Sequence, residues 1–248
     1  MSAHRFEDER FLRGKGRYVA DINRENQLYA KIVRSIHGHA KIINIDISDA
    51  LTVDGVCGIY VEDDLAKDGV GPLPCTTKFV AEQPLVVAER YALARDKVRY
   101  VGDPVALVLA ETEMAAQEAA ELVLVDYEAL PVLVSPVNSM QDGSPLIWSN
   151  APKNIAYRFK KGEKESTAAA FDGAAHVVEL DIENNRVMAL PIEPRAGIGE
   201  YDPKNDVMRL ICTAQGVHAI REQLAQSVFS MDEKKIQISA PDVGGGFG

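Results

Sequence analysis

Residues 105–127, VALVLAETEMAAQEAAELVLVDY, decide the fold class of this chain. The continuous apolar run at 105–110 is typical of a β-strand covered on both faces. Residues 113–121 predict a helix with Thr112 as its N-cap, and residues 122–127 predict a second strand. A buried strand, a short helix and another strand predict a mixed α/β arrangement of the α+β class. The helix is short for a crossover between parallel strands.

Further strands are predicted on both sides of this unit. The alternation of Ile43, Ile45 and Ile47 with polar residues predicts a half-buried strand. Apolar residues at helical spacing predict a helix that begins near Val217. The remaining predicted strands are residues 27–34, 177–182, 197–201 and 208–213, and the segment around Ile236 and Ile238. Both halves of the chain therefore combine strands with helices.

Prolines divide the chain into two parts. Pro131, Pro136, Pro145 and Pro152 lie close together, and proline lacks a backbone donor and disfavours helix in the residue before it. This stretch is predicted to be an interdomain connection that is ordered against its neighbours, because burial of its apolar residues is favourable. The predicted organisation is a lead-in at 1–14, a first domain at 15–130, a connection at 131–152 and a second domain at 153–248.

Composition excludes several classes of protein. With 27 Lys and Arg against 37 Asp and Glu, the net charge of −10 is unlike that of a nucleic-acid binder. No apolar run approaches the roughly 18 residues that span a bilayer, and the charged N-terminus lacks the apolar region of a secretory signal. Cys57, Cys75 and Cys212 are scattered and odd in number, which predicts no disulfide framework. We therefore expect a cytoplasmic protein.

Two features mark a candidate binding site. Consecutive glycines at 244–246 follow a predicted strand, and such glycines let backbone N–H groups approach a ligand closely. Gln215 follows another predicted strand, where an amide side chain can donate and accept hydrogen bonds at a carboxyl edge of a sheet. The residue pattern alone leaves two interpretations open: a cofactor cradle, or a turn at a flexible end beside an ordinary loop glutamine.

Other polar residues predict structural roles. Glu193 and Arg195 are expected to form a salt bridge within a turn. His37 and His39 have the spacing of metal ligands, but no third ligand cluster accompanies them, and we interpret them as polar loop residues. The glycines also match the first half of a dinucleotide-binding fingerprint, yet several strands of the same domain precede them, which argues against a nicotinamide-dependent enzyme.

Seven longer motifs occur in a recognisable order. They are GKGRYVADI (14–22), RSIHGHAKI (34–42), VRYVGDPVALVLAET (98–112), AAELVLVDYEALPVLV (119–134), PIEPRAGIGEYD (191–202), CTAQGVHAIREQLA (212–225) and APDVGGGFG (240–248). In this order the chain resembles the molybdenum-binding large subunit of the xanthine dehydrogenase and aldehyde oxidase family, in the branch that includes aerobic carbon monoxide dehydrogenase. The resemblance implies an a/b hammerhead domain followed by the start of a molybdopterin-binding domain.

The resemblance also implies a chemistry. In the family, molybdenum held by a pyranopterin dithiolene hydroxylates a substrate carbon with oxygen from water, and electrons pass through [2Fe–2S] clusters to FAD or another acceptor. Those centres belong to an FAD-binding medium subunit and a [2Fe–2S] small subunit, in an assembly that dimerises as a heterotrimer. The substrate stays open among carbon monoxide, an aldehyde, a purine and another N-heterocycle.

Site residues follow from the matching positions. Gln215 matches the glutamine that hydrogen-bonds an oxygen ligand on molybdenum, and Gly245, Gly246, Phe247 and Gly248 match the loop against the cofactor. Phe247 is expected to lie near the metal as an apolar wall.

The family's general-base glutamate matches no position in this sequence, so no catalytic residue is predicted here. We therefore expect the N-terminal portion of a longer subunit, which alone neither retains the cofactor nor turns over. The alternative is a non-catalytic remnant or partner-binding module.

Overall fold

The structure is a computed structural model that describes residues 5–76 and 85–247. Its strands are β1 (Tyr29–Arg34), β2 (Ala40–Asp46), β3 (Val56–Val61), β4 (Lys97–Val98), β5 (Pro104–Ala110), β6 (Leu124–Ala129), β7 (Gly197–Asp202), β8 (Val207–Cys212) and β9 (Ile236–Ser239). Its α-helices are α1 (Asp8–Leu12), α2 (Glu62–Lys67), α3 (Glu113–Leu122), α4 (Pro136–Ser139), α5 (Lys164–Asp172) and α6 (Val217–Gln223). The α+β class that the sequence predicts is confirmed.

Two antiparallel sheets of three strands form the first unit. One has the strand order β1-β5-β3 and the other has the order β4-β2-β6. Helix α3 lies against the first sheet and buries Ala115, Ala116 and Ala119, whose small side chains allow a close approach. Because α3 joins β5 to β6 in the other sheet, this short helix makes no parallel crossover.

Strand β5 is covered on both faces, as its apolar run predicts. It lies at the centre of its sheet, paired antiparallel with β1 and with β3. Ala106 and Val108 pack in one core cluster with Ala119 of α3, whereas Val105 packs in a second cluster with Val98 of the other sheet. Val105, Ala106 and Val108 are each 0% exposed, so β5 connects the two halves of this core.

Thr112 caps α3 as predicted. Its Oγ1 accepts a hydrogen bond of 3.1 Å from the backbone N–H of Ala115, which satisfies one of the free donors of the first turn. The helix continues to Leu122, so the strand predicted from residue 122 begins at Leu124.

The predicted alternation places Ile43 on the buried face of its strand together with Ile45 and Ile47, and this is wrong for Ile43. The pairing of β2 with β6 shifts register between Ile42 and Asn44, and Ile43 is 61% exposed. A bulge inserts one residue and reverses the alternation of side chains beyond it. Ile45 and Ile47, on the other side of the bulge, pack against the core as expected.

The proline-rich stretch at 131–152 packs against the first unit. The Arg99 guanidinium carbon lies 3.7 Å from the ring centroid of Trp148, and Arg99 Nε donates to the carbonyl oxygen of Ile147 at 3.3 Å. Burial lowers the pKa of Arg99. Ile147 and Trp148 are therefore packed against their neighbours, as predicted, whereas Leu146 is 42% exposed.

The second unit contains a β-α-β arrangement. Strand β7 pairs antiparallel with β8, and β8 pairs parallel with β9. The connection between the parallel strands consists of α6 and a π-helical turn, Leu224–Val228. The apolar face predicted for this helix is half-buried at Ile220 and fully buried at Val228, and α6 lies against β9.

The predicted strand at 177–182 is wrong. In the described part of the chain this segment pairs with no strand, and Val178 and Ile182 are 90% and 79% exposed. The other exposed large apolar residues nearby are Val177, Leu180, Val187, Met188, Leu190 and Ile192. Period-two alternation supplies an apolar face but no neighbour for the backbone hydrogen bonds, and without a neighbour no strand forms.

We expect Thr112→Ala to lower the free energy of unfolding by about 1 kcal/mol, because the Ala115 N–H loses its acceptor. Thr112→Ser keeps the oxygen and is the matched control. Urea denaturation followed by circular dichroism measures both variants. Equal losses in the two variants would contradict the capping role.

We expect Ile182→Lys to change the free energy of unfolding by less than about 0.5 kcal/mol, because the side chain is exposed. The same substitution at Ile236, which is 3% exposed in β9, should cost at least about 2 kcal/mol by burying an unpaired charge. Urea denaturation measures the free energy of unfolding of both variants. A similar loss at both positions would mean that residue 182 is packed.

Candidate functional site

Gln215 and the glycine run meet at one edge of the third sheet. Because β8 and β9 are parallel, the segments that follow them leave at the same edge, which is the usual ligand site of such sheets. Gln215 follows β8 and residues 244–246 follow β9. A Cβ atom placed on Gly246 would lie 2.2 Å from Cδ of Gln215 and 2.4 Å from its Nε2. The loop backbone thus packs directly on the amide side chain.

The three glycines of the run are required either by backbone conformation or by lack of space for a side chain. Gly245 has a φ of +128°, in the region that favours glycine. The constraint at Gly244 and Gly246 is space. A Cβ atom on Gly244 would lie 2.5 Å from Cβ of Glu193, and a Cβ atom on Gly246 would lie 2.2 Å from Cδ of Gln215. No larger residue fits at 244 or 246 unless a neighbour moves, so the loop presents backbone groups to the site.

Glu193 anchors the glycine loop by a hydrogen bond to its buried carboxylate. It is only 9% exposed, and its Oε2 accepts a hydrogen bond of 2.6 Å from the backbone N–H of Gly244. Its Oε1 accepts a hydrogen bond of 2.9 Å from Oγ1 of Thr213, just after β8. The predicted salt bridge with Arg195 is wrong, since among the described residues the buried carboxylate bonds these two groups and Arg195 is exposed.

The anchoring role of Glu193 is a functional contact that the sequence-based predictions do not include. Glu193 stands between Pro191, Ile192 and Pro194, an apolar setting that favours burial. A buried carboxylate requires hydrogen-bond donors close to it, and a glycine loop is rich in free N–H groups. An acidic residue in an apolar setting, together with a glycine loop in the same domain, was the pattern that could have predicted this contact.

A cleft of about 160 Å³ opens beside the loop. It is lined by residues of three segments, 191–195, 213–215 and 243–246. Arg195 contributes a cation and Gln215 a carboxamide to its wall. Burial raises the pKa of the nearby Cys212 thiol, which stays protonated at neutral pH. Small-molecule pockets typically enclose about 300 to 1,000 Å³, so these segments form part of a wall rather than a whole pocket.

Phe247 lies at the open side of the loop. It has a φ of +56°, which is uncommon for a residue with a side chain, and it is 72% exposed. A Cβ atom on Gly245 would lie 3.0 Å from Cε2 of Phe247, so the ring borders the loop. Gly248, the last predicted site residue, lies outside the described residues.

The two histidines have separate structural contacts. Nδ1 of His39 lies 2.9 Å from the carbonyl oxygen of Pro131, and the His37 ring packs against Tyr127. His39 lies in the loop between β1 and β2, as interpreted, and its side chain is buried there. Within residues 5–76 and 85–247, no group of three or more His, Cys, Asp or Glu side chains is arranged to hold a metal ion.

Two family models match this chain. The a/b hammerhead domain of aldehyde oxidase and xanthine dehydrogenase matches residues 13–131, and the molybdopterin cofactor-binding domain matches residues 147–248. These matches, the fold and the relatives define a class of two-domain proteins that bind molybdopterin. The chain belongs to the xanthine dehydrogenase and aldehyde oxidase family, and it matches the N-terminal part of that family's molybdopterin-binding large subunits.

Characterised relatives cover nearly all of this chain. It is 36% identical to the nicotine 6-hydroxylase large subunit of Paenarthrobacter nicotinovorans, over 98% of this chain and 29% of that protein. It is 35% identical to the carbon monoxide dehydrogenase large chain of Afipia carboxidovorans, over 98% of this chain and 30% of that one. The chain therefore spans less than a third of the length of these relatives.

Solved structures agree with this assignment. Quinoline 2-oxidoreductase from Pseudomonas putida 86 superposes with a TM-score of 0.88 at 30% identity, over 100% of this chain and 31% of that chain. A Cu,Mo-containing carbon monoxide dehydrogenase superposes with a TM-score of 0.85 at 33% identity, over 99% of this chain and 31% of that one. Among the described residues, none of the helices has the length and apolar character required to cross a bilayer.

We expect Glu193→Ala to lower the free energy of unfolding by about 1–3 kcal/mol, because it leaves the Gly244 N–H without its acceptor. The Gly244 amide should also exchange its hydrogen faster. Glu193→Gln retains an acceptor oxygen of the same reach and is the matched control. Denaturation and amide exchange of the whole chain measure both effects. Unchanged exchange at Gly244 in Glu193→Ala would refute the anchoring role.

Proposed function

We propose that this chain supplies the hammerhead domain and one wall of the cofactor site of a molybdenum hydroxylase. The observation that carries the proposal is the contact between Gln215 and the glycine loop at the carboxyl edge of β8 and β9. Relatives that include a nicotine 6-hydroxylase and a carbon monoxide dehydrogenase support an oxidoreductase activity for the complete protein. Its proposed reaction is the oxidative hydroxylation of a small substrate with oxygen from water.

The groups at this edge suit a molybdenum ion held by a pyranopterin. Glycines at 244 and 246 leave no side chain between the backbone and a ligand, and their neighbours fill the space that a Cβ would occupy. Arg195 adds a positive charge at the cleft, which suits an anionic group of the cofactor. When bound, the cofactor supplies the two-electron redox chemistry.

Each residue of the wall has a proposed task. The Gln215 carboxamide would stabilise negative charge beside the metal, and the backbone of Gly245 and Gly246 would lie against the cofactor. Gly248 matches the same loop of the family but lies outside the described residues. Phe247 excludes water near the metal, because an apolar ring cannot hydrogen-bond it. The proposed general base is a glutamate outside this chain, so the chain orients the cofactor and leaves the proton transfer to another segment.

The proposed assembly is larger than this chain. It contains an FAD-binding medium subunit and a [2Fe–2S] small subunit, dimerises as a heterotrimer and is cytoplasmic. A relative named as subunit gamma of a 6-hydroxypseudooxynicotine dehydrogenase complex supports a multisubunit organisation. The proposed boundaries are the lead-in 1–14, the hammerhead 15–130, the connection 131–152 and the cofactor-binding part 153–248. Family matches at 13–131 and 147–248 support them.

The first experiment reads the DNA after the codon for Gly248 and expresses this chain together with the polypeptide encoded there. We expect a frame that encodes the rest of the cofactor-binding domain, and a complex that retains molybdenum and pterin, measured by mass spectrometry. The chain alone should retain neither. If no such frame exists, or if the complex forms without the metal, the non-catalytic partner-binding module is correct instead.

A matched pair of glycine variants tests the wall. Gly246→Ala should reduce molybdenum retention by the complex, because the new methyl group displaces Gln215. Gly199→Ala, at an exposed position in β7 with nothing within 4 Å of the added atom, is the control and should retain the metal. Equal retention in both variants would remove Gln215 and Gly246 from the proposed site.

A further inference from the structure

Asp242, two residues before the glycine run, is held by the N-terminal part of the chain. Both guanidinium NH2 groups of Arg10 contact its carboxylate, with Nη2 2.6 Å from Oδ1. The backbone N–H of Arg17 donates to Oδ2 at 2.7 Å. In return, the backbone N–H of Asp242 donates to the carbonyl oxygen of Arg17 at 3.0 Å. We call Arg10 and Arg17 the N-terminal clamp.

The clamp is chemically strong for a contact near the surface. A bidentate pair of guanidinium and carboxylate fixes both distance and orientation. The carboxylate of Asp242 is only 14% exposed, although Arg10 is 43% exposed. Hydrogen bonds from Arg10 and from the Arg17 N–H lower the pKa of Asp242 from 3.8 to about 2. The carboxylate is therefore ionised, and able to accept all three contacts, throughout the neutral range.

Two contacts restrict the conformation of the chain at the start of the glycine loop. The clamp holds its first residue at Asp242, and Glu193 holds the N–H of Gly244 two residues later. The first anchor lies 232 residues before Asp242 in the sequence, and the second lies 51 residues before Gly244. The amides at Gly245 and Gly246 follow directly on these two anchored residues.

We propose that Arg10 and Arg17 are positioning residues for the cofactor: by fixing Asp242, they aim the amides of the glycine-rich loop at it. The inference rests on the proposed function for its ligand, but the clamp itself is a property of this chain alone. Residues of the lead-in (Arg10) and of the start of the hammerhead (Arg17) thereby act on a site in the second unit.

Amide hydrogen exchange of the whole chain tests the clamp without any cofactor. Arg10→Gln should accelerate exchange at 242–246 by up to about fivefold, the range expected for loss of a partly exposed charge pair. Arg24→Gln is the matched control, because Arg24 is 39% exposed and pairs with Glu200 of β7, away from the loop. Unchanged exchange in Arg10→Gln, or equal acceleration in Arg24→Gln, overturns the proposal.

A second readout is the titration of Asp242, followed by carbon NMR of its carboxyl group. In the wild type its pKa is about 2, so the clamp stabilises the loop fully above pH 3.8 and loses this effect as the pH falls towards 2. In Arg10→Gln the pKa should rise towards 3.8. A general loss of stability would not by itself raise the pKa of Asp242 in the folded protein. If the pKa stays near 2, Arg10 is not the partner that holds Asp242.

Asp242→Asn is a second variant on the other side of the contact: it keeps the shape of the side chain, but it loses the charge and replaces one acceptor oxygen with an NH2 donor. In the complex with the downstream polypeptide, Arg10→Gln and Asp242→Asn should both lose molybdenum while the melting temperature of the chain changes little. Faster exchange with full metal retention overturns the positioning role. Failure of the wild-type complex to retain metal overturns the proposed function, whereas the exchange result still decides the clamp.

Discussion

Burial of strand β5 on both faces is the constraint on which the first unit depends. Its residues have neighbouring strands on either edge, helix α3 on one side and the second sheet on the other. A strand in that position admits only apolar side chains, because a polar group there would lack both water and a partner. The hammerhead is therefore built outward from β5, and the short helix that follows it brings the chain to the second sheet.

The second unit depends on a different constraint, the parallel pairing of β8 and β9. Parallel strands require a crossover, and α6 with its π-helical turn provides it. The crossover returns the chain to the edge at which β8 begins, so β9 runs in the same direction as β8 and the residues after the two strands converge at the opposite, carboxyl edge. Gln215 and the glycine loop meet for this topological reason, and Glu193 then fills the space beneath them.

Local signals could be predicted from the sequence, and long-range contacts could not. The cap at Thr112 and the apolar run of β5 depend on neighbouring residues, so their patterns are visible in the sequence. The bulge at Ile43 depends on the register of β6, and the strand predicted at 177–182 lacks a pairing partner among the described residues. Alternation specifies a face but neither a register nor a partner.

The same distinction applies to the candidate site. Gln215 and the glycines stand out in the sequence because each follows a strand directly. Glu193 and the N-terminal clamp do not, since each acts through a residue that is distant in the sequence. Only the fold makes these anchors neighbours of the loop.

The separation of 232 residues between Arg10 and Asp242 also sets an order of events during synthesis. A ribosome releases the N-terminal segment well before the glycine loop, so the clamp closes only after both sheets of the hammerhead have been synthesised. Such a contact adds to the mean sequence separation of contacting residues, which slows folding. The loop thus acquires its final shape after the hammerhead has left the ribosome.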